Sequence, residues 1–418
     1  MRNSRRALLL SLLCLLPAFA QQSPQQLYDD AVAAYRRKDF AAYLTGMEAL
    51  VQVRSYQPAI VFNYAGALAL NGRPIAAIEQ LKRLARQSVV MDLGDADFNR
   101  IRNRADFRAV AQVMGALRVQ KIESSRVAFR VPLKGAIPEA IAFDAKTKAF
   151  FVSSVRKRKI VRVDAKGAAR DFVTKEIWAA NGLAADAKRR ILWVSSGAYA
   201  RVEGFTEKNA GENTLFAFDL DSGKLLRRYD TPATEPHAFD AVSIDAEGNV
   251  YVSDGRGAIY RLRHGAKALD LFVKPGTIRS PQGSAVAADG TLYVSDYSGV
   301  LFAVDRRTGA ATALTVPDDV ATYGIDGLAA AGSALYVIDN GLTPSRVARL
   351  QLDPSGRKVL SARILDMNRA EMDEPTNGVI AEGAFYWIAA SQGHLFDGKK
   401  APAESEFKEA VIMRVASR

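Results

Sequence analysis

The stretch Phe239-Asp240-Ala241-Val242-Ser243-Ile244-Asp245-Ala246-Glu247-Gly248-Asn249-Val250-Tyr251-Val252-Ser253-Asp254-Gly255-Arg256-Gly257-Ala258-Ile259-Tyr260-Arg261-Leu262 decides the fold. It holds three short runs of β-branched, aromatic and small apolar residues. Two turn clusters, Asp245 to Asn249 and Asp254 to Gly257, separate them. Period-two alternation bounded by Gly, Asp and Asn reads as an antiparallel meander. Working outward, the same phrase recurs. Its second strand reappears as Phe150-Phe151-Val152-Ser153-Ser154, Leu192-Trp193-Val194-Ser195-Ser196, Leu292-Tyr293-Val294-Ser295-Asp296, Leu335-Tyr336-Val337-Ile338-Asp339 and Phe385-Tyr386-Trp387-Ile388-Ala389.

Copies start at Glu139, Asn181, Asp240, Gln282, Asp326 and Asn377. A spacing of about 40 to 60 residues suits four short strands per blade of a propeller. Residues 118–418 are therefore expected to form an all-β six-bladed propeller. A closed ring leaves no open sheet edge. Arg126 to Val131 precedes the first full copy and is expected to supply the outer strand of the last blade.

Residues 21–117 carry a different period. Leu27, Ala31, Ala34 and Tyr35 make one helical stripe, and Tyr43, Met47, Leu50 and Val51 another. Phe62 to Leu70, a turn at Asn71-Gly72, and Pro74 to Ile78 with small Ala77 resemble a tetratricopeptide hairpin. A helical pair around Asp97 to Ile101 and Asp106 to Met114 is expected to cap it. The region reads as an all-α, tetratricopeptide-like domain of about one and a half units, short of the roughly three a stable solenoid needs. A packing and spacing role is expected of it, with a protein partner site as the other reading.

Residues 1–20 read as a signal peptide: Arg2, Arg5 and Arg6, an apolar run from Ala7 to Leu16, and Ala18-Phe19-Ala20 for cleavage. Ser4-Arg5-Arg6 also loosely fits a twin-arginine signal, but the leucine-dense core favours the ordinary secretory route. Cys14, the only cysteine, leaves with the leader, so the mature chain has no disulfide and no thiolate metal site. No later stretch is long enough to span a membrane. The expected location is periplasmic or secreted. The formal charge of +12 leaves an anionic partner open, but no basic run with interleaved aromatics suggests nucleic acid.

In a propeller the innermost strands line the axis, so the first residue of each copy should face one mouth of the central tunnel. Glu139, Asn181, Asp240, Gln282, Asp326 and Asn377 all carry side-chain oxygen, and each is followed by Gly or Ala. A ring of carboxylates and amides without His or Cys suits a hard cation, calcium above other divalent ions. A small-molecule ligand at this mouth is the other occupant. Asp and Asn at such positions can also simply bond the backbone of a turn. Two long connections, Gly197 to Asn213 and Ser391 to Ala410, should overhang the mouth. His237, three residues before Asp240, and His394, in the second connection, could reach it.

Pro138-Glu139, Asn181-Gly182-Leu183-Ala184-Ala185-Asp186 and Phe239 to Val250 are the segments in which the chain resembles the senescence-marker-protein, gluconolactonase and luciferin-regenerating-enzyme group of six-bladed propellers. The resemblance runs from about Pro138 to the C-terminus. It implies a divalent metal at the mouth held by Glu139, Asn181 and Asp240. It also implies hydrolysis of a lactone or small ester, with Asp240 or His237 activating water. The chain departs from that group in drawing the three ligands from consecutive copies. No position matches the group's substrate-positioning Arg and Asn. The alternative is a non-catalytic scaffold for a protein or glycan. No Gly-x-Ser-x-Gly, His-Glu-x-x-His or phosphate-loop motif supports a serine hydrolase, zincin or nucleotidase.

Overall fold

The computed structural model describes residues 22–231, 236–396, 402–403 and 406–417. The leader and the cleavage point lie outside these residues. No described helix is long and apolar enough to cross a membrane.

Among the described residues, five helices come first: α1 (Pro24–Arg36), α2 (Phe40–Arg54), α3 (Pro58–Leu70), α4 (Pro74–Arg86) and α5 (Ala105–Val119). Ser23 and Gln26 form a reciprocal capping box at the start of α1. Proline in the first turn opens α1, α3 and α4, where its missing N–H costs nothing. The helices pair as two complete hairpins rather than one and a half. Small residues set their spacing: a Cβ on Gly46 would lie 2.8 Å from the Ala31 methyl, and Ala77 is fully buried. The expected helix at Asp97 to Ile101 is only a 3-10 turn, Ala96–Phe98. There Asp95 accepts from the Asp97 N–H, and the Asp97 carboxyl receives the Tyr35 hydroxyl across Gly66. Such side-chain bonds compete with helix propagation.

The strands follow as β1 (Ile122–Glu123) and β2 (Arg126–Val131), then six sheets. Blade 1 is β3 (Ile141–Asp144), β4 (Ala149–Ser154), β5 (Lys159–Val163) and β6 (Ala169–Val173). Blade 2 is β7 (Ala179–Asp186), β8 (Ile191–Gly197), β9 (Asn213–Asp219) and β10 (Leu225–Asp230). Blade 3 is β11 (Phe239–Ile244), β12 (Val250–Asp254), β13 (Ala258–Leu262) and β14 (Asp270–Val273). Blade 4 is β15 (Pro281–Val286), β16 (Leu292–Asp296), β17 (Val300–Val304) and β18 (Ala311–Ala313). Blade 5 is β19 (Ile325–Ala331), β20 (Ala334–Asp339), β21 (Arg346–Leu352) and β22 (Val359–Met367), with β1 as a fifth strand on its outer edge. Blade 6 is β23 (Gly378–Ala381), β24 (Ala384–Ile388), β25 (Ala410–Ala416) and, as expected, β2. Val131 pairs with Ala410 and Arg126 with Arg414, which seals the ring.

Second strands are wholly buried in every blade but blade 2, where Ile191 alone is not. They therefore read as continuous apolar runs, while the outer strands β10 and β18 are mostly exposed. Apolar clusters fill the wedges between neighbouring blades.

The helical domain packs on the mouth side of blades 4 and 5. Leu342, Ala321 and Tyr323, all on loops at that end, join its core. Val90 N donates to Thr343 O at 2.8 Å, and Gln87 Nε2 to Asp318 O at 2.8 Å. Arg346 Nη1 donates at 2.7 Å to the carbonyl of Gln87, the C-cap of α4, where a cation also meets the negative end of the helix dipole.

Candidate functional site

In four blades a register shift falls at the head of the innermost strand: between Ala180 and Gly182, Phe239 and Val242, Pro281 and Ser284, and Ile325 and Gly327. A bulge re-aims a side chain out of the pleat. Here it turns Asn181, Asp240, Gln282 and Asp326 toward the axis. The small residue that follows has a steric cause. A Cβ on Gly182 would collide with the backbone at Asp240 and Val242 of the next blade. One on Gly283 would meet Asp326 and Leu328, and one on Gly327 would meet Thr376 and Asn377.

Two cavities share Glu139, Tyr199 and Gln282 and together make one mouth. The larger, 680 Å³, adds Asn181, Asp240, His237, Phe205 and Phe239. The smaller, 260 Å³, adds Asp326, Glu374, Arg201, Tyr297 and Asn340. Five of the six expected residues thus line the opening. Asn377 heads its strand at the matching place but lines neither cavity. Blade 6 contributes Thr376 and Glu374 instead. Glu374 sits at a left-handed turn (φ 62°) three residues upstream, a conformation that a Glu in the sequence does not announce. Of the first long connection, Ala198 to Gly211 overhangs the larger cavity, as expected. The second is described only in part, and its Ser391 reaches the smaller cavity. His394 lies at the rim, half exposed. Its N–H donates to Glu374 Oε2 at 2.9 Å, and its side chain lies beside Asp373 and Glu374.

Two amides at the mouth, Asn181 and Asn340, are engaged. Asn181 Nδ2 donates to Phe239 O at 2.8 Å, and its Oδ1 accepts from the Tyr199 hydroxyl at 2.8 Å. Asn340 Nδ2 donates to Asp326 Oδ2 at 2.6 Å, and its Oδ1 accepts from the Tyr297 hydroxyl at 2.9 Å. Among the described residues, neither the Glu139 nor the Asp240 carboxyl receives a hydrogen bond. Burial first, then Asp326 and Asp240, push Glu139 well above the usual carboxylate range; Arg201 opposes this. Burial and then Asp326 raise Asp240 to about 8. Burial raises Asp326 to about 6 against the opposing Asn340 hydrogen bond. Burial, then Glu139 and Asp240, raise the Tyr199 hydroxyl.

Among the described residues, no three His, Cys, Asp or Glu side chains come together in a way that could hold a metal ion. The expected set has two carboxylates and one amide. Its donor chemistry fits a hard cation, because two carboxyls without hydrogen-bond donors face one enclosed space. His237 is buried at the wall of the larger cavity, with Nδ1 2.7 Å from Asp254 Oδ2.

Fold and site define a six-bladed propeller with an acidic, oxygen-lined mouth and a helical domain beside it. The sequence profile described as outer membrane protein assembly factor BamB matches residues 109–313 and, in a second register, 175–353. Together these matches cover more than half of the chain, and the chain belongs to this family of propeller-repeat proteins. No curated protein matches it in sequence. A gluconolactonase from Xanthomonas campestris superimposes with a TM-score of 0.50 at 16% identity, covering 72% of this chain and 92% of that one. A luciferin-regenerating enzyme gives 0.48 at 12%, covering 69% and 92%. A virginiamycin B lyase from Staphylococcus aureus gives 0.47 at 16%, covering 68% and 82%. At such identities the gluconolactonase likeness is one of fold.

Proposed function

We propose that the mouth holds a hard divalent cation, calcium by its ligand set, through Glu139, Asn181 and Asp240, and that the chain hydrolyses a lactone or other small ester there. One observation carries this reading. The Glu139 and Asp240 carboxyls line one cavity, where burial first and then the nearby Asp326 charge favour their neutral forms, and a cation relieves that cost. When bound, the cation would polarise the substrate carbonyl and stabilise oxyanion charge.

Asp240 then serves as ligand, and the base is His237. His237, at the wall of the larger cavity with Nδ1 2.7 Å from Asp254 Oδ2, takes the proton of the attacking water. Phe205, Phe239 and Tyr199 wall off the apolar part of the substrate, and Gln282 offers hydrogen bonds to its polar groups. The experiment is turnover of a broad lactone and aryl-ester panel by the mature chain, with calcium and after chelation, for wild type, Glu139→Gln and Asp240→Asn. Absence of cation-dependent turnover across the panel sinks the reading. The leader motif supports a periplasmic or secreted location, which cell fractionation tests.

A second reading, a non-catalytic scaffold for a peptide or glycan, is favoured by a 390 Å³ cavity between the two domains. Tyr28, Arg54 and Ile60 of the helices line it, with Tyr323 and Leu342 of the propeller. Binding of arrayed peptides or glycans that is lost in Tyr28→Ala and Ile60→Glu, without any turnover, would favour it.

A further inference from the structure

The helical domain is pinned to the propeller at two seats. At the first, the link between α2 and α3 sits on the β16–β17 turn of blade 4. The Tyr56 ring lies on Gly299, where an added Cβ would come within 2.6 Å of it, and Gln57 Nε2 donates to Ser298 O at 3.4 Å. At the second, Val90 N meets Thr343 O in the β20–β21 loop of blade 5. Between the seats the domains stand apart and leave the 390 Å³ cavity. Ile60, Val89, Met91 and Leu342 give it apolar walls, and Tyr28 and Tyr323 aromatic ones. Tyr323 lines this cavity and Tyr297 the smaller lobe of the mouth. Their rings lie 6.3 Å apart, so the pair forms a partition between the two spaces.

One charged side chain faces this largely apolar space. Arg54, the last residue of α2, lines the cavity and is half-buried. Among the described residues its guanidinium takes part in no hydrogen bond and no ion pair. Other half-buried arginines differ: Arg83 meets Asp318, Arg190 meets Asp144 and Asp221, and Arg306 meets Asp245 and Glu247. The charge beside Arg54 is a second cation, Arg279, on the loop entering blade 4, whose guanidinium likewise has no described acid. The acid of this corner, Asp296, is buried and committed to backbone. Its Oδ2 accepts from Arg279 N at 2.9 Å, and its Oδ1 from Ser280 N at 3.3 Å and Ser298 N at 2.9 Å. Burial first, then Arg279, hold Arg54 below the usual arginine range. An anion beside it would reverse that shift.

We infer that this interdomain cavity binds a small amphiphilic carboxylate, with Arg54 holding the carboxylate and the apolar walls enclosing an aliphatic or aryl body. The planar guanidinium matches a carboxylate through two parallel hydrogen bonds. The tail covers apolar wall that otherwise faces water. One guanidinium lines the cavity, so it balances a single negative charge. The volume lies toward the small end of small-molecule sites, which suits one compact amphiphile rather than a run of peptide residues. The occupant touches both domains and, by binding only the docked arrangement, stabilises it. The inference shares its cavity with the scaffold reading but names a different occupant, and it does not rest on the hydrolase reading.

Calorimetric titration of octanoate and phenylacetate into the mature chain tests this, with octanol as the uncharged probe of the same tail. Octanoate should bind and raise the melting temperature, and octanol should bind about tenfold more weakly or less. Arg54→Gln should weaken octanoate on the order of 10- to 100-fold and leave octanol unchanged. Arg54→Lys keeps the charge but loses the fork, so its affinity should fall between the two. Arg279→Gln should change octanoate binding only a few-fold, through its field. Arg37→Gln, at an exposed cation ending α1, should change nothing. The melting temperature of each free variant shows that it is folded. No binding at millimolar octanoate or phenylacetate overturns the inference. So does octanol binding as tightly as octanoate, or an Arg54→Gln chain that binds octanoate no worse than Arg37→Gln. A leucine-ended peptide with a free carboxylate that binds through Arg54 more tightly than octanoate overturns the small-molecule occupant in favour of a chain end.

Discussion

Tyr199 donates its hydroxyl to Oδ1 of Asn181 at 2.8 Å. This single bond ties the connection between β8 and β9 to the head of blade 2, while the other end of the same amide ties blade 2 to the backbone of blade 3. Asn181→Ala should remove both bonds and strand the Phe239 carbonyl, costing roughly 1–3 kcal/mol in urea unfolding. Tyr199→Phe removes one bond and should cost about 1 kcal/mol. Asn181→Asp should cost more than Tyr199→Phe, because it sets an oxygen against that carbonyl and adds charge to an acidic mouth.

The mouth acids predict an unusual pH dependence. In the unfolded chain they ionise near pH 4, whereas in the fold Asp326 is raised to about 6 and Asp240 to about 8. A carboxyl raised by folding contributes stability that is fully present below its unfolded value and is lost as pH climbs through its folded value. In chelator, the melting temperature should therefore fall as the pH rises from about 5 to about 8. Asp240→Asn should flatten the slope, and millimolar calcium should restore the wild-type melting temperature at the alkaline end. Calorimetry in two buffers of different ionisation enthalpy should show proton release as calcium binds.

Gly182→Ala tests the crowding of the axis. The new methyl would press on the Ser195 hydroxyl and the Val242 N–H at 2.8 Å and on the Asp240 carbonyl closer still. The inner strands of blades 2 and 3 must separate to admit it. A loss of roughly 1–3 kcal/mol is expected, together with weaker calcium binding in the same titration.

At the junction of the two domains Asp339 and Arg346 are both buried, 3.6 Å apart. Among the described residues, Asp339 Oδ1 and Arg346 Nε and Nη2 find no hydrogen-bond partner. Arg346→Ala leaves the Asp339 carboxyl buried without a counter-charge and Gln87 O without its donor. It should cost about 3–5 kcal/mol. Arg346→Met combined with Asp339→Leu should recover most of that loss. Proteolysis between α5 and β2 reports whether the domains have come apart.

Much of the architecture was legible because blade geometry repeats. Leu-Tyr-Val-Ser-Asp and its variants mark buried second strands, and Arg126 to Val131 could be assigned to the last blade because a ring must close. The heads of the innermost strands were legible for the same reason, since Gly or Ala after each reports a backbone close by. Glu374 was hidden: it reaches the mouth from a positive-φ turn rather than from the strand register that pointed to Asn377. Asp254 was hidden too, because in sequence it is indistinguishable from Asp296, and only the partner of its second oxygen separates them. The seat of the helical domain depends on loops around Asp318, Tyr323 and Leu342, which carry no repeat. The first helical hairpin, α1 and α2, lacked a distinct motif, although its apolar stripes were visible in Leu27 to Val51.

The strand pair that seals the ring has a bearing on how the molecule is assembled. β2 is synthesised directly after the helices, yet its partner β25 is the last described strand to be made. Through most of synthesis β2 has no edge to join, and blades 1 to 5 form an open arc with exposed flanks. Helical hairpins need only neighbours close in sequence, so they can be complete long before. Closure is a single late event between segments far apart in the chain, the kind of contact that slows folding. Any holding factor that shields the arc therefore matters most in the interval before β25 arrives, and a lesion in β25 should trap a species whose helices are native and whose ring is open.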